Sequence, residues 1–151
     1  MERKIIYITT SQCLEIQSQI IDKSGGSDLG VLNEGQIESV INNIQNDDYY
    51  PMFVDKLTHL FFSINKFHCF TDGNKRSSIA ISMMFLIYNG YSTIVTAFAH
   101  TFENIAVSVA KGTIEKEFLR EIFSAFLNGD LEENEHIKLE LISVLIKEQA
   151  E

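Results

Sequence analysis

Cysteine is scarce in this chain. Only Cys13 and Cys69 occur in 151 residues, and neither belongs to a paired metal-ligand spacing. Long apolar runs are missing as well: no stretch of about 18 residues could form a membrane-spanning helix. At the N-terminus, Met1-Glu2-Arg3-Lys4 leads into only Ile5-Ile6-Tyr7-Ile8 before polar residues resume. No secretory signal is expected there, and a cytoplasmic protein is. Basic charge is in short supply, with 12 Lys and Arg against 21 Asp and Glu for a net charge of −9. Phosphate backbones demand a basic surface, so neither nucleic acid nor membrane is an expected partner. Internal repeats and low-complexity linkers are also missing. What is present is 45% hydrophobic residues in one domain-sized chain, enough for a substantial core and too short for a second catalytic domain.

The apolar residues recur at helical spacing, which predicts an all-α fold. Thr9 to Gln12 reads as a capping box opening a helix through Ile21, with Cys13 on its apolar side and Gly25-Gly26 as its stop. Ile37, Val40, Ile41 and Ile44 form a second stripe, and Phe53, Leu57, Leu60, Phe61, Ile64 and Phe67 a third. Ile79 to Tyr88 is apolar nearly all round, which places it in the centre of the domain, with Asn89-Gly90 ending it. Two further stripes run from Phe102 to Ala110 and from Phe118 to Phe126. Lys4 to Ile8 and Tyr91 to Thr96 read as short extended pieces.

Between the third stripe and the central helix lies His68-Cys69-Phe70-Thr71-Asp72-Gly73-Asn74-Lys75-Arg76. Each residue type has a job in phosphate chemistry. The imidazole of His68 accepts a proton near neutral pH, as activating a hydroxyl for attack on phosphorus requires. Asp72 offers hard carboxylate oxygens to Mg²⁺, which takes one or two carboxylates and fills its shell with water and phosphate. Gly73 and Asn74 tolerate positive φ, and a helix beginning after them aims its N–H groups at an anion in the turn. Lys75 supplies a point charge and Arg76 a planar fork for phosphate oxygens. Phe70 is read as the loop's anchor in the core. For Cys69, a small filler of the loop and a reactive thiol both remain open.

This pattern resembles the signature of the Fic/Doc (Fido) superfamily, H-x-F-x-D/N-G/A-N-K/G-R, in its lysine-bearing Doc, or death-on-curing, form. The resemblance extends to Gly25-Gly26 and to Asn33 through Val40, and over about residues 5 to 127. It implies a compact Fido-fold helical bundle with a short β-like flap. It divides the chain into a catalytic domain, 1–127, and a helical extension, 128–151, packed on it. It implies Mg²⁺ and ATP as co-substrate, with His68 as base, Asp72 as metal ligand, and Gly73, Asn74, Lys75 and Arg76 around the phosphates. The adenylyl-transferring Fic branch usually carries proline, glycine and a second arginine where this chain has Cys69, Lys75 and Ile79. Those departures imply transfer of the γ-phosphate to a Ser or Thr of a cytoplasmic protein, by resemblance a translation elongation factor. Adenylyl transfer and an inactive nucleotide- or partner-binding module are the alternatives.

Three further expectations concern partners. The flap that aligns a target chain by strand-like pairing matches Asn46 to Pro51, with Asp48, Tyr49 and Tyr50 as target contacts; the same segment also reads as an ordinary interhelical loop. Restraint in many Fic proteins comes from a Ser or Thr followed four residues later by a glutamate that blocks the arginine. Here Gly129 stands where the hydroxyl should be, ahead of Glu133-Asn134, so the Doc pattern implies a separate antitoxin with an acidic side chain near Arg76. Ile137 to Ile146 carries more apolar surface than one helical face can hide; it is either a last helix laid across the domain or a surface for self-association or the antitoxin. His59 is read as a core or boundary residue, and His100 and His136 as helix-start and surface positions.

Overall fold

The computed structural model describes residues 4–24, 34–67 and 73–150. Among these are seven α-helices and no strand: α1 Thr10–Ser24, α2 Glu34–Ile44, α3 Phe53–Lys66, α4 Asn74–Tyr88, α5 Val95–Lys111, α6 Lys116–Asn128 and α7 Glu135–Ala150. A short 3-10 turn, Ser92–Ile94, precedes α5. The all-α expectation holds. The expected extended piece at Tyr91 to Thr96 is instead this turn and the start of α5, because Tyr91 N–H returns to Leu86 O at 2.9 Å and closes the end of α4. Residues 4–9 are neither helix nor strand. They are held by the Asn89 side chain, whose Oδ1 accepts from Ile6 N–H and whose Nδ2 donates to Ile6 O, both at 2.9 Å. The helix-stopping asparagine thus docks the N-terminal segment as well.

The capping box of α1 forms as the sequence predicts: Thr9 N–H donates to Gln12 Oε1 at 2.8 Å and Gln12 N–H to Thr9 Oγ1 at 3.2 Å. The Gly25-Gly26 stop lies outside the described residues.

The central helix is α3 and not α4. Around α3 lie α2, α4, α5 and α6, and most of its residues are buried, polar ones included. α4 keeps Ile81, Phe85 and Leu86 fully inside but leaves Ile87 exposed and Met83 and Met84 only partly covered. The apolar circumference of α4 is partly a seat for α1, where Ile16 and Ile20 face Ala80, Met83 and Met84 across a shallow groove. On α3, Phe67 emerges at the surface while Phe61 meets Phe98, Phe102 and Phe123 edge-on, with ring centroids 5.2 to 6.4 Å apart. That aromatic cluster joins α3, α5 and α6, each pair adding about 1 kcal/mol beyond area burial. A second cluster stacks Phe53 between Phe85 and Tyr91, closing the far end of α3 on α4.

Lys56 is the largest of the fully buried side chains and is 2% exposed. Its Nζ donates to Ile44 O and to Asp47 Oδ1, each at 2.7 Å, beneath the Tyr7 ring. The ammonium therefore closes the C-terminus of α2 and fastens the α2–α3 loop. Asp47 is itself 79% exposed, so truncating Lys56 strands the buried Ile44 carbonyl and empties the space of the lysine stem rather than orphaning a buried charge. Lys56→Ala is expected to lower the free energy of unfolding by about 1–3 kcal/mol in a urea titration; a loss below about 0.5 kcal/mol would contradict this role.

Candidate active site

Gly73 opens α4 with φ 77°, in the left-handed region, and its carbonyl accepts the first helical hydrogen bond from Ser77 N–H at 2.8 Å. A β-carbon disfavours that conformation, so the glycine at the head of the helix has a backbone reason. Lys75 and Arg76 follow in the first turn with exposed side chains. Among the described residues no carboxylate lies within ion-pair distance of either cation. A 15-residue helix therefore presents its positive N-terminal end beside two open cations. Of the residues predicted for the site, Gly73, Asn74, Lys75 and Arg76 are brought together here. His68, Cys69, Phe70, Thr71 and Asp72 lie outside the described residues; α3 ends at Lys66, two positions before His68.

The turn is held from three sides by groups that the sequence pattern did not single out. Asn65, 2% exposed near the end of α3, donates through Nδ2 to Ala106 O on α5 at 3.0 Å and to Ser78 Oγ on α4 at 3.4 Å. Ser78 Oγ in turn donates to Lys75 O at 2.7 Å. This chain ties the backbone of the cationic turn to two other helices. From α1, Gln17 Oε1 accepts from the buried Ser77 hydroxyl. Lys66 Nζ reaches the last carbonyls of α5, Val109 O and Ala110 O, both at 3.4 Å. The available signal was Ser77-Ser78 directly after the two cations: small hydroxyls facing a neighbouring helix let the backbones approach and bond across.

The segment expected to act as a flap is located differently. Asn46 to Pro51 forms turns, not an extended edge; Tyr50 N–H closes on Asn46 O at 2.9 Å. It lies at the N-terminal end of α3, whereas the signature loop follows the C-terminal end, about 20 Å away along a 14-residue helix. Asp48, Tyr49 and Tyr50 therefore do not border the cationic turn. The strand-pairing expectation is corrected, since local hydrogen bonds already use backbone that an edge would offer. What Tyr50 does is pack on His59, its hydroxyl 3.2 Å from His59 Nδ1 with ring centroids 4.6 Å apart. Lys116 Nζ, from α6, donates to the same nitrogen at 2.7 Å. A cleft of about 200 Å³ opens beside them, lined by Tyr49, Tyr50, Thr58, Lys116 and Arg120.

Burial, then the neighbouring Lys116 charge, lowers the His59 pKa from 6.5 to about 4. Burial likewise lowers that of Lys116 and raises that of Tyr50. His59 is a core residue, as expected. His100 is exposed within α5, away from the helix start where it was expected, and His136 sits exposed in the first turn of α7. Glu133 makes no ion pair with Arg76.

A model of the Fic/DOC family matches residues 7–86, just over half of the chain. The chain belongs to the Fic/DOC family. Members of the Fic/DOC family are typically transferases that act on proteins, and the matched segment carries α1 to α4 with the whole signature. Among curated proteins no relative matches the chain. The Fic/DOC assignment implies ATP as co-substrate, often with Mg²⁺. The chemistry of the cationic turn suits a polyphosphate: a left-handed glycine, a helix N-terminus and two uncompensated cations. No group of His, Cys, Asp or Glu among the described residues could hold a metal ion, and Asp72 lies outside them. No described helix is long and apolar enough to cross a membrane.

His59, midway along α3, has a pH signature. Its folded pKa is depressed, so the unfolded chain binds more protons between pH 6.5 and about 4. Its contribution is fully present above pH 6.5 and is lost as pH falls through that window. Wild-type unfolding free energy is expected to drop across it by about 2–3 kcal/mol more than that of His59→Gln. Parallel pH profiles for the two proteins would remove His59 from the account.

Proposed function

We propose that this chain is a protein kinase of the Doc type, moving the γ-phosphate of ATP to a Ser or Thr hydroxyl on another protein. The observation that carries the reading is the head of α4, where left-handed Gly73 introduces two exposed cations without carboxylate partners. Three residues beyond Arg76, where the adenylyl-transferring branch has a second arginine, Ile79 packs against the core. The grip on phosphate thus ends after one helical turn, with Lys75 in place of a glycine. A bulky cation in the cradle and one fewer clamp favour transfer of the terminal phosphate over transfer of the nucleotide.

Mg²⁺ and ATP would supply the transferable phosphoryl group, with Asp72 holding the metal. His68 would take the proton from the target hydroxyl as its oxygen attacks the γ-phosphorus; the bond to the β-phosphate oxygen breaks and ADP departs. Lys75 and Arg76 would hold phosphate oxygens and stabilise the charge that develops there. Among the described residues no carboxylate is seated on Arg76, which is compatible with restraint by a partner, an antitoxin bearing an acidic side chain that docks at this turn. The target is proposed to be a translation elongation factor.

Label transfer from ATP carrying α- or γ-labelled phosphate, into a host lysate with Mg²⁺, tests the reading. The expected result is transfer of γ label alone, reduced at least about a hundredfold by His68→Ala. Transfer of α label would replace the kinase reading with adenylyl transfer, and failure of both labels would favour a binding module. Glycine controls separate site from fold. Gly73→Ala and Gly129→Ala both place a side chain at positive φ, at 77° and 79°, for about 1 kcal/mol each. Only the first is expected to lose transfer.

A further inference from the structure

α7 is anchored by few groups. Ile137 and Val144 are its buried residues, and near its end Glu148 Oε1 accepts from Ser108 Oγ at 2.6 Å and from Thr113 Oγ1 at 2.5 Å. Asn134 caps it, accepting from Ile137 N–H at 3.0 Å. These contacts fix which face points inward. The opposite face carries Leu139, Ile142, Leu145 and Ile146, which are 66, 53, 57 and 63% exposed. The expectation of a last helix laid across the domain is thus met on one side only.

We infer that this outer face of α7 pairs with the same face of a second copy of the chain, antiparallel, with the two-fold axis at Ile142. Three observations single out a copy. The spacing 139, 142, 145 and 146 is the three-four repeat of a helix-pairing seam, continued by Glu135 and Lys138 before it and Gln149 after it. Charge sets the direction: a parallel pair stacks Glu135 on Glu135 and Lys138 on Lys138. An antiparallel pair centred on Ile142 sets Leu139 against Leu145, Glu135 against Gln149, and the aliphatic stem of Lys138 against Ile146. The area agrees. The four side chains expose roughly 400 Å² per copy, so two copies with their flanking residues approach the roughly 1,200 Å² at the low end of specific interfaces. The inner face is already committed to Ser108, Thr113 and the core, and among the described residues nothing covers the outer one.

Sedimentation equilibrium of the full chain at about 100 μM, where an interface at the low end of the size range still associates, gives the first test. A dimer is expected, and Ile142→Glu is expected to sediment as a monomer with unchanged circular dichroism, since position 142 is exposed in the single chain, and with a melting temperature that no longer rises with protein concentration. In a Cys69→Ser background, Ile142→Cys is expected to form a disulfide-linked dimer under mild oxidation, because position 142 meets itself across the axis. A monomeric wild type, a dimer that survives Ile142→Glu, or failure of Ile142→Cys to cross-link would each overturn the pairing. The outcome is independent of the transferase reading, which concerns the head of α4.

Discussion

The requirement that buried polar groups find partners governs α3, and through α3 the rest of the molecule. Lys56, Thr58, His59, Ser63 and Asn65 all lie inside the bundle, and each makes at least one hydrogen bond to protein, although His59 Nε2 and Asn65 Oδ1 are left without a partner among the described residues. Unsatisfied, each would cost on the order of 1–3 kcal/mol. Three of them also dictate where a neighbour sits: Lys56 fixes the end of α2 and its loop, His59 meets α6, and Asn65 joins α5 to the first turn of α4. The aromatic cluster around Phe61 supplies cohesion without direction; the polar groups supply the register.

That arrangement explains how the cationic turn at the head of α4, the proposed phosphate site, is kept in place. A helix N-terminus with two cations is electrostatically awkward when nothing neutralises it, and an exposed loop would let it splay. The bond path from Ala106 through Asn65 and Ser78 to the carbonyl of Lys75 holds the turn from behind, while Gln17 holds Ser77 from α1. Neither path uses the side chains of Lys75 and Arg76, which stay exposed. In a chain of net charge −9, that local excess of positive charge gathers an anion at one place on an otherwise acidic surface.

The stripes of α2, α5 and α6 and the capping box of α1 were legible in the sequence because apolar spacing and a two-residue hydrogen-bond exchange are local signals. The signature was legible for the same reason, as nine contiguous residues. Harder to read was which helix is central. α4 looks apolar all round and α3 looks one-sided, yet α3 is the buried one, because Lys56 and Asn65 lose their exposed appearance only once Asp47, Ile44 and Ala106 arrive. At Tyr49 and Tyr50 the segment takes the second of its two readings, an interhelical loop at the start of α3. They stand about twenty residues before the signature, but a straight helix converts that interval into separation and not proximity.

The claim at the centre of this account is that the head of α4 is a polyphosphate cradle whose grip depends on Arg76. Isothermal titration of the protein with Mg²⁺-ATP and with adenosine, repeated on Arg76→Ala, addresses it directly. The account predicts that ATP binds and adenosine scarcely does. It also predicts that Arg76→Ala weakens ATP by about 10- to 100-fold, the worth of a charge-assisted hydrogen bond, without lowering the melting temperature of an exposed position. Equal affinity for ATP and adenosine, or undiminished ATP binding by Arg76→Ala, would contradict it.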